Sequence, residues 1–360
     1  MSKIKVLIVD DSAVIRNIVR EILQSDRQIE VVGEAEDPLI ARDLIKQLNP
    51  DVITLDVEMP KMDGITFLSN IMRLRPMPVV MLSTLTTKGA DTTLHALELG
   101  AVDFIGKPSD SELLKGPEKF KNMLLEKVKQ AAKIDQKNFK LSNTLQNKTE
   151  KAAMSFNGSQ RQNHLIAIGA STGGNDAIKN ILVEMPENSP AIVVTQHIPK
   201  IFSERFAQRL NADCAMQVQE ARHGQKIKAG NVYIAPGDMH LKIVVKNGNL
   251  FCTLEDSEPV SRHKPSVDVL FKSLIPVANN VQAVLLTGMG RDGAEGMLAL
   301  KKAGARTLIQ DKSTSLVWGM PGSAAKINAH CKEFPLDDFA KKLLAFASFS
   351  RDEMKEKIDE

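Results

Sequence analysis

The sequence predicts an α/β protein in two parts, each built on a mainly parallel sheet. Three observations carry this. Short runs rich in Val and Ile alternate with amphipathic segments along both halves of the chain. Those runs are apolar nearly throughout rather than at every second position, as strands covered by helices on both faces must be. Between the halves, over residues 136–163, the pattern collapses into Asn, Gln, Lys, Ser and Thr, which cannot bury enough apolar surface to fold and reads as a flexible linker. A length of 360 residues leaves room for about two domains at ~150 residues each.

In the first half the strand candidates are K-V-L-I-V (5–9), I-E-V-V-G (29–33), D-V-I-T-L (51–55), P-V-V-M-L (78–82) and V-D-F-I (102–105). Helical patterns lie between them. One opens at Asp37-Pro38, a capping carboxylate followed by proline at the first helical position. Five β-α repeats predict a small doubly wound parallel sheet, closed by a helix over 117–133. The second half repeats the theme, with strands at L-I-A-I (165–168), A-I-V-V-T (191–195), V-Q-A-V-L-L (281–286) and T-L-I-Q (307–310). This predicts a Rossmann-like α/β sheet. Residues 227–254 differ, with turn signals at Pro236-Gly237 and Lys246-Asn247-Gly248, and read as an antiparallel hairpin insertion. The domains expected are 1–134 and 164–350, with a linker at 135–163 and a polar tail at 351–360.

Composition narrows the function classes. Apolar residues at 43% and charged residues at 25% suit a soluble globular protein. Aromatics at 4% leave few stacking surfaces for single strands, and a net charge of +3 is too small to call for a nucleic-acid partner. Cys214, Cys252 and Cys331 are odd in number and widely spaced, which argues against a disulfide framework or zinc site and suits a reducing compartment. No apolar run approaches the ~18 residues of a membrane span, and the first run is closed at once by Asp10 and Asp11, so neither membrane insertion nor a signal peptide is expected. The expectation is a cytoplasmic monomer.

Two clusters of chemistry-bearing residues lie at the expected carboxyl ends of the strands. In the first half these are Asp10 and Asp11, Asp56, Ser83 and Lys107, one group per strand end. Clustered carboxylates repel unless a cation sits among them, and hard oxygen ligands favour Mg²⁺. A carboxylate is also a nucleophile able to form an acyl phosphate, which a hydroxyl and an ammonium would hold. A single Asp-Asp pair would read as helix capping. The ordered set V-D-D-S, L-D-V-E-M-P-K-M-D-G, L-S-T-L-T and I-G-K-P instead resembles the receiver domain of two-component response regulators, with its flavodoxin-like fold, over about residues 1–130. The resemblance implies phosphorylation of Asp56 with Mg²⁺ held by Asp10, Asp11, Asp56 and the Glu58 backbone carbonyl. It also implies phosphoryl contacts from Ser83 and Lys107 and an aromatic switch at Phe104. The Lys107–Pro108 bond is open to either isomer.

In the second half G-A-S-T-G-G (169–174) follows a buried strand and opens a helix, so it fits a sharp turn presenting Ser171, with helix N–H groups near a developing oxyanion. Alone it reads equally well as a phosphate-binding loop. Q-H-I-P places His197 and G-M-G-R-D-G-A places Asp292 at two further strand ends, and the three together suit a nucleophile, a general base and an orienting carboxylate. The chain order Ser, His, Asp differs from that of the α/β-hydrolases. With A-P-G-D-M-H-L and R-H-K-P-S-V-D, these motifs resemble the chemotaxis protein-glutamate methylesterase (CheB) family over nearly the whole chain.

That resemblance implies hydrolysis of glutamate γ-methyl esters on methyl-accepting chemotaxis receptors, and deamidation of selected glutamines. It implies a Ser171–His197–Asp292 triad, with Thr172 and His263 in the site and the Met289 N–H as an oxyanion donor. It further implies the chemotaxis histidine kinase CheA as phosphodonor, no cofactor for ester hydrolysis, and a receiver that covers the cleft until phosphorylated. Trp318 stands where a smaller side chain is expected. A DNA-binding regulator would need a compact basic recognition helix in place of this long α/β segment. A nucleotide site would need a P-loop lysine that G-A-S-T-G-G lacks, and an inactive adaptor would not need all three triad candidates.

Overall fold

A computed structural model of the protein describes residues 3–84, 87–108, 118–134 and 164–348, with the backbone alone at 87, 88, 119 and 348. The chain divides into two units, residues 1–148 and 149–360. The expected linker and polar tail lie outside the described residues.

The opening apolar run becomes β1 (Ile4–Val9), whose last four residues are fully buried. The unit continues through α1 (Ala13–Gln24), β2 (Ile29–Ala35), α2 (Pro38–Leu48), β3 (Val52–Asp56) and α3 (Gly64–Leu74). It ends with β4 (Val79–Ser83), α4 (Thr87–Glu98), β5 (Asp103–Gly106) and α5 (Glu118–Ala131). The five strands are parallel in the order β2-β1-β3-β4-β5, so the winding reverses between β1 and β3 and opens a crevice there. Local chemistry starts the helices. Asp37 accepts from the N–H groups of Leu39 and Ile40 with Pro38 at the first position, and Asp63 accepts from Thr66 N at 2.7 Å.

The second unit runs β6 (Leu165–Ala170), α6 (Gly174–Leu182), β7 (Ala191–Gln196), α7 (Lys200–Asp213), β8 (Gln217–Glu220) and β9 (Asn231–Ile234). A hairpin of β10 (His240–Lys246) and β11 (Asn249–Glu255) follows, then α8 (Val267–Ser273) and a 3₁₀ segment, Ile275–Asn280. The sheet resumes with β12 (Val281–Leu285), α9 (Ala294–Lys302), β13 (Arg306–Gln310), α10 (Met320–Lys326), β14 (Lys332–Phe334) and α11 (Phe339–Ser348). Seven strands lie parallel in the order β14-β13-β12-β6-β7-β9-β8. The first strand of the unit, β6, therefore sits between β7 and β12 at the point where the winding reverses. One face of this sheet packs on α8, α9 and the hairpin through Val193, Leu241, Phe271, Leu285 and Met297, all wholly buried. Each such side chain contributes about 1.5–3 kcal/mol by leaving water.

One expectation needs correction. Residues 227–254 are not wholly an antiparallel insertion, because β9 inside this range joins the main sheet, parallel to both β7 and β8. Only β10 and β11 pair antiparallel, across a turn in which Asn247 and Gly248 both take positive φ. Pro236-Gly237 is a connection out of the sheet rather than a hairpin turn. Among the described residues the cis peptide bond is Lys264–Pro265, not Lys107–Pro108. The three cysteines are free thiols, and burial pushes Cys214 and Cys252 up to about 12.

Candidate functional site

The crevice at β1 and β3 in the first unit gathers four of the expected residues. Asp10 and Asp56 are buried and Asp11 is exposed, and one carboxylate oxygen from each lies within 4.8 Å of the others. Lys107 Nζ stands 2.8 Å from both Asp10 Oδ2 and Asp56 Oδ2. One ammonium thus serves two buried carboxylates, with a third carboxylate beside them. Burial, then the Asp10 charge, pushes Asp56 up to about 6 despite the help of Lys107 and the Glu58 N–H. Burial also raises Asp10. Lys107 is held protonated, since Asp10 and Asp56 outweigh the burial that opposes its charge. Gly64 is needed beside this pocket, because a Cβ there would fall 1.9 Å from the Asp56 carbonyl oxygen.

Ser83 and Phe104 are buried on the neighbouring strands. The Ser83 carbonyl accepts from Lys107 N at 2.8 Å, and its hydroxyl accepts from Thr93 Oγ1 on α4 at 2.7 Å. The Phe104 ring lies 5.4 Å below Lys127 Nζ. The Glu58 side chain is exposed, and its backbone follows Asp56 by two residues. A hard divalent cation fits this pocket, because uncompensated carboxylate oxygens supply the donor type it takes.

In the second unit the turns after β6, β7 and β12 meet at the carboxyl end of the sheet. His197 N donates to the Ala170 carbonyl at 3.2 Å, and Gln196 Nε2 donates to the Ser171 carbonyl at 2.8 Å, so residues 171 and 197 are neighbours across adjacent strands. On the other side Ser171 N donates to Thr287 O at 3.1 Å. Gly288 allows that approach, since a Cβ there would fall 2.8 Å from Ser171 Cβ. The Gly288 carbonyl is fastened in turn by the N–H groups of Gly319 and Met320, in the segment that carries Trp318. Trp318 is accommodated by Gly322 under its ring and by a hydrogen bond from Nε1 to Gln310 O at 3.1 Å.

Asp292 is almost wholly buried and fully satisfied. His197 Nε2 lies 2.8 Å from its Oδ2, Val267 N donates to Oδ2 at 2.7 Å, and Ser266 Oγ and Asp268 N donate to Oδ1 at 2.7 and 3.1 Å. Burial alone would raise this carboxyl, but His197, Ser266 and Val267 outweigh it and hold it below the usual carboxylate range. With Nε2 donating to Asp292, His197 Nδ1 is the acceptor nitrogen. It is buried and hydrogen-bonds to no described residue. Ser171 Oγ is not hydrogen-bonded to it. His263 stacks on His197 with ring centroids 3.7 Å apart. Thr172 is buried beside Ser171, its carbonyl accepting from Thr287 Oγ1 at 3.0 Å. Met289 follows Gly288, so its backbone lies close to Ser171.

Sequence reasoning passed over Ser266, Asp268 and Gln196. Ser266 carries the mark of a helix cap before α8, yet its hydroxyl caps nothing locally and goes to Asp292, 26 residues away. A serine just ahead of a helix was the available signal, and it pointed to the wrong partner.

The comparisons with known proteins bear on the family. The CheB methylesterase family model matches residues 166–343, and the response regulator receiver domain model matches residues 6–116. A protein-glutamate methylesterase/protein-glutamine glutaminase 1 of Xanthomonas euvesicatoria pv. vesicatoria is 50% identical over 353 residues, spanning 97% of this chain and 98% of its own. This chain belongs to the CheB methylesterase family. The protein-glutamate methylesterase/protein-glutamine glutaminase of Hydrogenovibrio crunogenus is 49% identical over 375 residues, 96% of this chain and 99% of its own. The Thermotoga maritima CheB methylesterase catalytic domain superposes with a TM-score of 0.50 at 36% identity, covering 51% of this chain and 98% of its own. As a member of the CheB family the chain is an enzyme, with a receiver domain ahead of its methylesterase domain.

Proposed function

We propose that the second domain, residues 164–350, hydrolyses glutamate γ-methyl esters on methyl-accepting chemotaxis receptors and deamidates selected receptor glutamines. The receiver, residues 1–134, would regulate it through phosphorylation at Asp56, and residues 135–163 would link the two. The observation that carries this reading is the buried Asp292 carboxylate, 2.8 Å from His197 Nε2, which leaves Nδ1 as a proton acceptor on a residue whose backbone neighbours the Ser171 turn.

The Ser171 hydroxyl attacks the ester carbonyl while His197 Nδ1 takes its proton, and the imidazolium that forms is stabilised by Asp292. The same nitrogen returns the proton to departing methoxide, and water, deprotonated in turn by Nδ1, releases the acid. The Met289 N–H and the groups opening α6 would stabilise the oxyanion. Glutamine presents a poorer leaving group to the same site, so deamidation is slower.

In the receiver, Asp10, Asp11, Asp56 and the Glu58 carbonyl would hold Mg²⁺, which neutralises charge on the incoming phosphoryl group. Lys107 and Ser83 would hold phosphoryl oxygens on Asp56, supplied by the chemotaxis histidine kinase CheA, and Ser83 would then exchange its present bond from Thr93. No helix among the described residues is long and apolar enough to cross a membrane, and a cytoplasmic enzyme meeting the receptors at their cytoplasmic part fits that.

Methanol release from methylated receptor membranes tests the reading, with wild type and Ser171→Ala each assayed with and without acetyl phosphate and Mg²⁺. Serine-dependent release that rises on phosphorylation is expected. Release by Ser171→Ala at the wild-type rate would end the triad reading, and release indifferent to phosphorylation would end the regulatory one.

A further inference from the structure

His197 is tied at one point of its ring, where Nε2 meets Asp292 at 2.8 Å. That bond leaves one freedom. Nε2 lies nearer than Nδ1 to the line through Cβ and Cγ, so a turn about that line sweeps Nδ1 farther than it moves Nε2. Histidine has a broad preference about this torsion, which does little to resist such a turn. The nitrogen that must face the serine is therefore the one the aspartate controls least.

His263 covers that freedom. Its ring lies on the His197 ring with centroids 3.7 Å apart and planes 7° from parallel, van der Waals contact over the whole face. His197 cannot turn about Cβ–Cγ without pushing this ring aside. The backbone that presents His263 is held with unusual force. Val260 and His263 exchange N–H···O bonds of 3.0 and 2.9 Å, and the two residues between them, Ser261 and Arg262, have φ of 52° and 69°. Neither is glycine, and each costs about 1 kcal/mol or more in that left-handed region. Such a turn persists only where its surroundings demand it. The same stretch continues into Ser266, Val267 and Asp268, which hold Asp292. One segment of eight residues, 261–268, thus grips both members of the His197–Asp292 pair.

We propose that His263 is a positioning residue, a flat plate that keeps the His197 ring in the plane that directs Nδ1 at the Ser171 hydroxyl while Nε2 stays on Asp292. The inference rests on the hydrolase reading and adds to it a second restraint on the base. What matters in His263 is its flatness and not its ability to carry a proton.

The test uses the full chain with His263→Ala and His263→Phe. With methylated receptor membranes, His263→Ala should lose about 10- to 100-fold in kcat with KM changed less than about twofold, the size of effect that misplacing a reacting group produces. His263→Phe keeps a flat ring and should restore most of that loss. ¹⁵N spectra of histidine-labelled protein should show His197 as the Nε2–H tautomer in all three proteins, with its ring resonances sharp in wild type and His263→Phe and exchange-broadened by ring motion in His263→Ala. Equal losses in both variants, full activity in His263→Ala, or an unchanged His197 spectrum in His263→Ala would each overturn the proposal. The spectra report on the ring without any turnover, so these results stay separate from failure of the hydrolase reading, which Ser171→Ala reports.

Discussion

Two buried aspartates, Asp56 in the first unit and Asp292 in the second, sit at the carboxyl ends of parallel sheets and are shifted in opposite directions from the ordinary carboxylate value. Both are almost wholly removed from water, at 3% and 1% exposure, so burial pushes both carboxyls up. Asp56 shares one ammonium with Asp10 and receives a single backbone N–H, and it rises to about 6. Asp292 takes bonds from an imidazole, a hydroxyl and two backbone N–H groups, and it falls below its ordinary value. Burial pushes both carboxyls the same way; the number and kind of donors, and a neighbouring like charge, decide whether that push wins. An under-satisfied carboxylate is ready to accept a cation and a phosphoryl group. A saturated one is fixed in place and ready only to orient a histidine.

The largest effect that would break this contrast is at the nucleophile. Ser171→Ala should lower ester hydrolysis by roughly 10⁴ or more, with the unfolding midpoint little changed. Methanol release and thermal unfolding on the same preparation check both halves.

Asp292→Asn should lower kcat by about 10³–10⁴, because an amide can donate to His197 Nε2 and turn the ring to the wrong tautomer. Its stability follows a sign set by the depressed carboxyl. The ionised form favours the fold above pH ~3.8 and that contribution is lost as pH falls through the lower folded-state value. Asn should therefore destabilise the protein at neutral pH, and the gap to wild type should close in acid. Denaturant melts from pH 7 to pH 2 would show whether it does.

Asp56→Asn should act in the opposite sense. A carboxyl raised from 3.8 to about 6 penalises the fold increasingly across that interval and fully above it. At about 1.4 kcal/mol per pH unit, removing it should stabilise the first unit by at most about 3 kcal/mol above pH 6 without divalent cation, and by almost nothing at pH 3.5. Mg²⁺ should stabilise wild type and have much less effect on Asp56→Asn. Melts of the full chain in EDTA and in Mg²⁺, following a signal from the first unit, would sharpen the contrast or erase it.

The smallest effect is at Ser266. Removing its hydroxyl takes one of four donors from Asp292, and a hydrogen bond to a charged group is worth about 1.5–3 kcal/mol. Ser266→Ala should lower kcat about tenfold. A drop as deep as that of Asp292→Asn would mean that the other donors do not hold the carboxylate on their own.

The first sheet was legible strand by strand, because most of its strands are nearly continuous apolar runs and capped helices such as the one at Asp37-Pro38 mark the segments between them. The second was less so. Strands β8 and β14 are short and flank the sheet, with Gln217, Lys332 and Glu333 exposed, so their composition carries no strong pattern. Strand β9 was placed within a hairpin region because the turns around it look like hairpin turns, and nothing local says that its partners are β7 and β8. Ser171, His197 and Asp292 were singled out because each stands past an apolar run. Ser266 was missed because its hydroxyl serves a distant residue and not its own helix.

By itself, then, the sequence determined which residues would stand at the ends of which strands, since apolar runs, caps and turns act over a few neighbours. Only the tertiary structure decided who meets whom. Asp292 reaches His197 across 95 residues because β6 lies between β7 and β12. Which imidazole nitrogen is left for the serine follows from that contact, and the ring that holds His197 flat comes from a strained turn elsewhere in the chain. Periodicity cannot encode such pairings, because they depend on the order of the strands in the sheet and on the path of the connections between them.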